Sequence, residues 1–274
     1  MPKLPTSRIG RTARFGSMVA GAAWKRDDPV AMADAIVKQL GQMKGAAMKI
    51  GQVLSTVDFD LVPEGEREAF KEKLAELRDQ APQVSFDQME KVLRAELGGP
   101  VSDVFAEFDS TPVAAASIGQ VYRARTHKGA DVAVKVQYPG VAEAVETDLR
   151  NMNMLFPLVK RLAPGLDVKA LGGELRERIS EELDYELEAQ NQRRVARVFR
   201  DHPHVRVPGV DTGLSTRRVL VTEFVEGEAF GKVKQRSEEE RDRFGEIVYR
   251  FFWGLIANER LVAGDPHPGN YLLC

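Results

Sequence analysis

A hairpin in the middle of the chain constrains the fold most strongly. Residues 121–124 and 132–136 are rich in β-branched side chains and alternate in polarity, which predicts two strands. His127-Lys128-Gly129 separates them and is typical of a hairpin turn, with Gly129 free to adopt a positive φ. The second strand carries one lysine, Lys135, in an otherwise apolar run. Such a lysine either reaches water or pairs with an anion.

A loop of very small residues precedes the first strand and consists of Ala114, Ala115, Ala116, Ser117, Ile118 and Gly119. Its spacing to Val121 and Lys135 resembles the ATP-binding hairpin of a protein kinase, which carries G-x-G-x-x-G-x-V and then A-x-K. Alanines stand at the first two glycine positions. Because alanine tolerates fewer backbone conformations than glycine, this loop would bind a nucleotide differently from the glycine-rich loop. The alternative is an ordinary small-residue turn followed by a surface lysine.

Length and composition narrow the class of protein. The 274 residues suffice for one large domain or two modest ones, and a hydrophobic content of 43% supports a core. A net charge of −2 excludes nucleic-acid binding by bulk charge. The single cysteine, Cys274, permits no disulfide framework within the chain, which suits a reducing compartment.

The N-terminal third divides into a basic arm and a helical region. Residues 1–28 carry six cations before the first acid, and we expect a disordered arm; the alternatives are attraction to an anionic membrane or an organelle-targeting segment. Residues 29–100 are predicted to be mainly helical, and Ser85 is a candidate cap for a helix over 86–97. Lys49-Ile50-Gly51-Gln52 lies in this region and by itself indicates nothing.

Two helices are predicted after the hairpin, over 141–162 and 169–200. The second contains an acidic run in which Glu181, Asp184 and Glu188 would share one face by i+3 and i+4 spacing. This run is either a solvated helix face or the source of a glutamate that pairs with Lys135, as in kinases.

The last third adds strands, a helix and a turn. Strands are predicted over 205–210 and 219–225, and the second resembles the strand that enters a kinase hinge, where backbone groups of Glu223 and Val225 would meet adenine. A helix over 237–258 follows. Asp265 and Asn270 then have the separation of the aspartate and asparagine in H-R-D-x-x-x-x-N, although the same residues also suit a plain turn.

Taken together, these motifs resemble the UbiB (AarF-domain) family of atypical kinases over about residues 31–271. The family's K-x-G-Q, alanine-rich loop, E-x-D and catalytic loop occur in order, with E-x-D at Glu182-Leu183-Asp184. The resemblance implies an α+β fold: a protein-kinase-like small lobe with an antiparallel sheet and inserted helices at 101–227. An N-terminal helical extension would occupy 29–100, and a helical large lobe would start at 228–274.

The resemblance also implies roles for single residues. Lys135 would hold the α- and β-phosphates of ATP, and Glu188 would fix Lys135. Asp265 would act as base or orient the nucleophile, and Asn270 would bind Mg²⁺. The K-x-G-Q helix, through Lys49, Gly51 and Gln52 with Glu182 and Asp184, would fold over the cleft. In the family this arrangement is thought to block protein substrates and to favour ATP hydrolysis or small or lipid partners.

One departure from kinases concerns the metal. The D-F-G aspartate that kinases use for Mg²⁺ does not follow Asn270, because the chain stops at Cys274. We expect the sequence to be a piece of a longer protein. We also expect it to be poorly active by itself, while its parent is an ATPase or kinase.

Three alternatives remain open: a non-catalytic nucleotide-binding regulator, a lipid- or isoprenoid-binding module at a membrane surface, and a small-molecule phosphotransferase of the aminoglycoside type. The resemblance implies a link to isoprenoid-quinone (ubiquinone-like) biosynthesis or lipid homeostasis. It points to membrane lipids, quinone-pathway intermediates and proteins as partners, and not to nucleic acid. The expected location is the cytoplasm, peripheral to the membrane, or a mitochondrion or plastid if the basic arm is a transit peptide.

Overall fold

An antiparallel sheet built around the predicted hairpin forms the centre of the fold. The computed structural model describes residues 84–116, 118–152, 160, 165, 167–264 and 268–274. In chain order its elements are α1 Phe86–Leu97, α2 Val101–Val104, β1 Phe105–Phe108, β2 Ala114–Ala115, β3 Gly119–Thr126, β4 Asp131–Gln137, α3 Val141–Met152, α4 Val168–Glu182, α5 Tyr185–Val198, β5 Val219–Glu223, β6 Glu228–Ala229, a 3-10 helix Phe230–Gln235, α6 Glu238–Glu259, a second 3-10 helix Pro268–Asn270, and β7 Leu272–Leu273.

The main sheet has the order β1-β3-β4-β5, with β2 added beside β3, and all its pairs are antiparallel. A second sheet pairs β6 with β7. This arrangement of sheet and helices confirms the α+β prediction. The basic arm and the K-x-G-Q helix lie outside the described residues, and no helix within the described residues is long and apolar enough to cross a bilayer.

The predicted hairpin is confirmed and is longer than the sequence pattern indicates. Its strands, β3 and β4, pair from Gly119 with Gln137 to Arg125 with Asp131, and the turn between them holds Gly129 at a φ of 81°. The β-branched residues therefore form the strands, while glycine accepts the positive φ that a side chain disfavours.

One face of the sheet makes the core. Tyr122, Val134 and Val221 sit side by side on β3, β4 and β5 and are fully buried. Met89 and Leu93 of α1 belong to the same buried cluster. Since strand side chains alternate, the other face of β4 carries Ala133 and Lys135, which are only half-buried. The sheet thus has a core face and a more open face.

The prediction of a single helix over 169–200 is wrong. The chain forms two helices, α4 and α5, separated at Leu183 and Asp184. Asp184 has a non-helical φ of −120°, and its carboxylate accepts hydrogen bonds from the backbone N–H groups of Glu186 and Leu187. A short acidic side chain competes well for such a capping position. The prediction that Glu181, Asp184 and Glu188 share one helical face is therefore also wrong.

Two smaller predictions fail as well. Residues 205–210 form no strand and contribute one isolated bridge, from Val210 to Thr222. Pro208 lies in this stretch and has no N–H to give to a ladder. Ser85 precedes α1 as predicted, but its side chain makes no capping hydrogen bond. The helix predicted from Ser237 is confirmed as α6, and there Ser237 forms a capping box with Glu240.

A half-buried carboxylate ties the first described helix to the segment that leads into β5. Glu96 of α1 accepts a hydrogen bond from Thr216 Oγ1 at 2.5 Å and one from Arg218 Nε at 2.8 Å. Burial by itself raises the pKa of Glu96, but the hydrogen bonds from Thr216 and Arg218, together with the Arg218 charge, outweigh it and hold the pKa below the usual value of 4.5.

We expect Glu96→Gln to lower the free energy of unfolding at pH 7 by about 1–3 kcal/mol, since it removes charged hydrogen bonds from a largely buried site. A carboxyl with a lowered pKa stabilises the fold above its unfolded pKa, and the contribution is lost as pH falls through the folded pKa. The difference from wild type should therefore shrink between about pH 5 and pH 2.5, measured by urea unfolding.

Glu90→Gln is the matched control, because Glu90 pairs with Arg94 on the exposed side of the same helix. It should cost less than about 0.5 kcal/mol at any pH. A loss of unfolding free energy in Glu96→Gln that is equal at pH 7 and pH 2.5 would contradict this account.

Candidate functional site

A lysine–glutamate pair joins the open face of the sheet to α5. Lys135 Nζ donates to both carboxylate oxygens of Glu188, at 2.8 and 2.9 Å. The Lys135 side chain is 27% exposed and that of Glu188 is 38% exposed. The pair is therefore shielded on one side and accessible to solvent on the other.

The sheet determines where the amine of Lys135 lies. Lys135 is the fifth residue of β4 and pairs with Val121 on β3 and with Leu220 on β5. Residues that pair across strands place their side chains on the same face, so Val121 lies beside the lysine. Ala133, two residues earlier, shares this face. A small apolar wall of Val121 and Ala133 thus adjoins one cation.

The start of α5 determines where the carboxylate of Glu188 lies. The side chain of Asp184 caps the helix, and the backbone N–H of Tyr185 donates to Arg217 O at 3.0 Å. Gln137, buried at the end of β4, donates through Nε2 to Leu183 O at 2.9 Å and Arg217 O at 3.3 Å. Since Lys135 and Gln137 both lie on β4, one strand contacts α5 at Glu188 and the break before α5 at Leu183.

Tyr185 lies beneath the ion pair. It is fully buried, and Lys135 Nζ is 4.7 Å from the centre of its ring. Burial raises the pKa of Tyr185 well above its usual value, and the charges of Glu188 and Glu182 raise it further. Its hydroxyl has no hydrogen-bond partner in the part of the chain that the structure describes. The ring supports the ammonium by a cation–π contact, whereas the hydroxyl is unsatisfied.

The small-residue loop forms a tight turn at the edge of the sheet. Ala114 pairs with Val121 and Ala115 with Gln120, and the N–H of Ala116 donates to Gly119 O at 2.9 Å. Ile118 is buried, and its carbonyl accepts from the N–H of Tyr138 at 2.8 Å. Ser117 lies outside the described residues. The turn is thereby attached to Tyr138, the residue directly after β4.

Gly119 approaches β4 too closely for any side chain. A Cβ at this position would lie 2.2 Å from Val136 O, and 3.1 Å from the hydroxyl of Tyr185. Backbone contact of this kind requires glycine. The last glycine of the loop thus has a packing role, whatever it contributes to ligand binding.

The E-x-D residues occupy the junction of α4 and α5. Glu182 is the last residue of α4, and Asp184 is the N-cap of α5, where it also lies 3.9 Å from Arg217 Nε. Glu182 and Asp184 therefore flank the break that positions Glu188. Their predicted partners Lys49, Gly51 and Gln52 lie outside the described residues.

The predicted hinge begins at the end of β5. The N–H of Glu223 donates to Gly209 O at 2.8 Å, and its carboxylate pairs with Arg206. Val225 follows two residues later, outside the strand. Residues 209–211 thus lie along the edge of β5 opposite β4 and occupy the N–H of Glu223. An interaction of Glu223 with adenine would therefore have to use its carbonyl.

The catalytic-loop residues are described only in part. Asp265 lies outside the described residues. Asn270 is exposed and ends the second 3-10 helix, directly before Tyr271 and β7. Pairing of β7 with β6 attaches this segment to the chain just after the hinge. The described residues contain no group of three His, Cys, Asp or Glu side chains arranged for a metal.

The structure thus brings Lys135, Glu188, Val121 and the loop from Ala114 to Gly119 together at one end of the sheet. Tyr185 and Gln137 complete this site and are not among the residues that the motifs indicate. Gln137 has a signal in the sequence, since it follows Lys135 by two positions on a strand. Tyr185 has none, because its burial depends on how α5 meets the sheet.

Comparisons with known proteins fit this geometry. The family model of the ABC1 atypical kinase-like domain matches residues 76–274. AarF domain-containing protein kinase 1 of Mus musculus is 36% identical over 235 residues, which cover 84% of this chain and 43% of that protein. Atypical kinase COQ8, mitochondrial, of Saccharomyces cerevisiae is 33% identical over 288 residues, covering 98% of this chain and 57% of that protein. The chain thus spans about half the length of these relatives.

A solved structure shares the fold. The complex of Rv3197 with erythromycin from Mycobacterium tuberculosis superposes with a TM-score of 0.60 at 36% sequence identity, covering 97% of this chain and 64% of that one. This similarity and the family match confirm the kinase-like fold.

We expect Gly119→Ala to destabilise the protein by about 1–3 kcal/mol, because the new methyl group overlaps the β4 backbone and the structure must shift to admit it. Gly173→Ala is the control. A Cβ at Gly173, inside α4, meets nothing within 4 Å, so alanine there should stabilise by up to about 1 kcal/mol. Thermal and urea unfolding measure both. Equal effects of the two substitutions would refute the close approach at Gly119.

We expect Tyr185→Phe to raise the free energy of unfolding by about 1 kcal/mol, since it keeps the ring under Lys135 and removes an unsatisfied buried hydroxyl. Tyr122→Phe should have the opposite sign, because Tyr122 donates to Gln120 Oε1 at 2.6 Å inside the core. Urea unfolding distinguishes the two outcomes. A loss of stability in Tyr185→Phe as large as that in Tyr122→Phe would show that the Tyr185 hydroxyl has a bonded partner.

Proposed function

Since the chain belongs to the family of ABC1 atypical kinase-like domains, we propose that it binds the phosphates of ATP at Lys135 for phosphoryl transfer. The observation that carries this proposal is the bidentate contact of Lys135 with Glu188. In kinases, a strand lysine held by a helix glutamate positions the α- and β-phosphates. The same two residue types, on a strand and a helix in kinase order, support the same role here.

The chemistry of the lysine supports phosphate binding. An ammonium group has three N–H donors, and Glu188 takes two of them. Lys135 has no further hydrogen-bond partner among the described residues, and its side chain remains partly open to solvent. One donor and the cationic charge are therefore available to a phosphate oxygen. Glu188 fixes the amine before a ligand arrives, which lowers the entropic cost of binding.

The surroundings of the lysine suit the remainder of a nucleotide. We propose that Val121 and Ala133 form the apolar wall against the base, and that backbone groups of Glu223 and Val225 meet the adenine edge. The turn from Ala114 to Gly119 lies at the same end of the sheet as Val136, the residue after Lys135, and would cover the phosphates.

The catalytic half of the proposal concerns the loop before β7. Asp265 would orient the acceptor or take its proton, and Asn270 would supply one oxygen to Mg²⁺. Bound Mg²⁺ neutralises charge on the phosphates during transfer. Lys49, Gly51 and Gln52, with Glu182 and Asp184, would regulate access to the cleft. Family membership supports these assignments.

The role of the whole protein is part of the same proposal. We propose that it serves isoprenoid-quinone biosynthesis or lipid homeostasis, with membrane lipids or quinone-pathway intermediates and proteins as partners. Similarity to COQ8 of yeast, whose name places that protein in mitochondria, supports an organellar setting. A non-catalytic nucleotide-binding regulator is the alternative, and nucleotide binding without Mg²⁺-dependent turnover would distinguish it.

We expect millimolar ADP to raise the melting temperature of the 274-residue chain by a few degrees, and Lys135→Met to abolish this shift because no cation remains at the site. Saturation at one hundred times Kd contributes about 2.7 kcal/mol to stability.

Glu188→Gln should weaken binding by roughly tenfold, about 1.4 kcal/mol, because the amine loses its charged partner. Differential scanning fluorimetry and calorimetry measure both.

Lys128→Met is the matched control, since Lys128 is an exposed lysine in the turn of the same hairpin. Its nucleotide affinity should equal that of wild type. A Lys135→Met variant that is folded and binds ADP with unchanged affinity would refute the proposal.

A further inference from the structure

A cluster of arginines covers the side of α5 that faces away from the nucleotide site. Arg193, Arg194 and Arg197, here called the arginine face, line a shallow, open surface cleft of about 350 Å³ together with Gln190 and Asn191. All three arginines are exposed. Residues 190, 193, 194 and 197 follow one another at i+3 and i+4 spacing, so they form one surface along the helix.

The charge of the arginine face is not compensated. None of its three guanidinium groups has a hydrogen bond or an ion pair to any described residue. Elsewhere Arg94, Arg150 and Arg250 each pair with a glutamate four residues earlier. The corresponding positions here are Ala189, Gln190 and Arg193.

The sequence of α5 therefore places two like charges close together on the helix. Arg193 and Arg197 are four apart, and like charges at this spacing destabilise a helix. The helix dipole favours a cation in the last turn, which accounts for Arg197 and leaves Arg193 and Arg194 without a stabilising partner. An anionic ligand would remove this repulsion.

The arginine face is separate from the Lys135 site. Arg197 follows Glu188 by nine residues, and at roughly 100° per residue these two side chains lie on opposite sides of the helix. A ligand at the arginine face would therefore not contact Lys135 directly.

We propose that the arginine face binds a small soluble ligand that carries two adjacent phosphate groups. Guanidinium groups present planar pairs of N–H donors that match phosphate oxygens, and three of them line one cleft. The amides of Gln190 and Asn191 add neutral donors. The lining contains no apolar side chain, which distinguishes this cleft from a surface that inserts into a membrane or holds a hydrophobic peptide.

Inorganic pyrophosphate is the probe, and isothermal titration calorimetry with the 274-residue chain at low salt is the measurement. In a Lys135→Met background, which removes the phosphate-binding amine of the nucleotide site, we expect one binding event that Arg193→Gln combined with Arg197→Gln weakens at least tenfold. Glutamine is a good helix former, so the variant should keep its circular dichroism spectrum. Arg241→Gln combined with Arg243→Gln in the same background is the matched control, because it removes two exposed arginines from α6, and it should leave the affinity unchanged.

Lys135→Met separates this proposal from the nucleotide site, because any pyrophosphate that this variant binds must lie elsewhere. Absence of pyrophosphate binding to Lys135→Met, or binding that the added Arg193/Arg197 substitutions leave unchanged, would overturn the assignment. Co-sedimentation with phosphatidylglycerol vesicles without pyrophosphate binding would also overturn it, in favour of a lipid surface.

Discussion

The contact between Lys135 and Glu188 joins β4 to α5, and the geometry of the candidate site depends on this junction. A half-exposed ion pair of this kind contributes about 1 kcal/mol or less to stability, because solvent screens the charges and two long side chains lose freedom. Its importance is geometric. It requires β4 and α5 to meet at one distance, and Gln137, Asp184 and Tyr185 secure that distance through separate contacts.

The break between α4 and α5 also determines where Glu188 lies. If residues 169–200 formed one helix, the residues before and after Asp184 would follow a single axis. Instead Asp184 uses its carboxylate to end one helix and begin the next, and Gln137 of β4 binds the carbonyl of Leu183 at the break. The E-x-D residues therefore shape the backbone that carries Glu188. A capping role and a regulatory role are compatible, since each uses different atoms of the same short segment.

The two sides of α5 differ in chemistry. The side that meets the sheet carries Glu188 and the buried ring of Tyr185, whereas the opposite side carries arginines that form no ion pair with any described residue. Because both sides belong to one rigid element, a ligand on the arginine side would act on the same helix that holds Lys135 in place. The sheet is equally two-sided, with the Val134 face buried and the Lys135 face half-open.

The sequence by itself determined the hairpin and the helix α6, because each depends on local periodicity and the hairpin also on a turn glycine. Motif spacing singled out Lys135, whereas the resemblance to a kinase family implied the α+β class and the choice of Glu188 from the acidic run. Only the tertiary structure decided that α4 and α5 are separate helices, that residues 205–210 form no strand, and that Tyr185 and Gln137 belong to the site. These outcomes depend on contacts between residues far apart in the chain, such as Gln137 with Leu183 and Gly119 with Val136, and no local pattern encodes them.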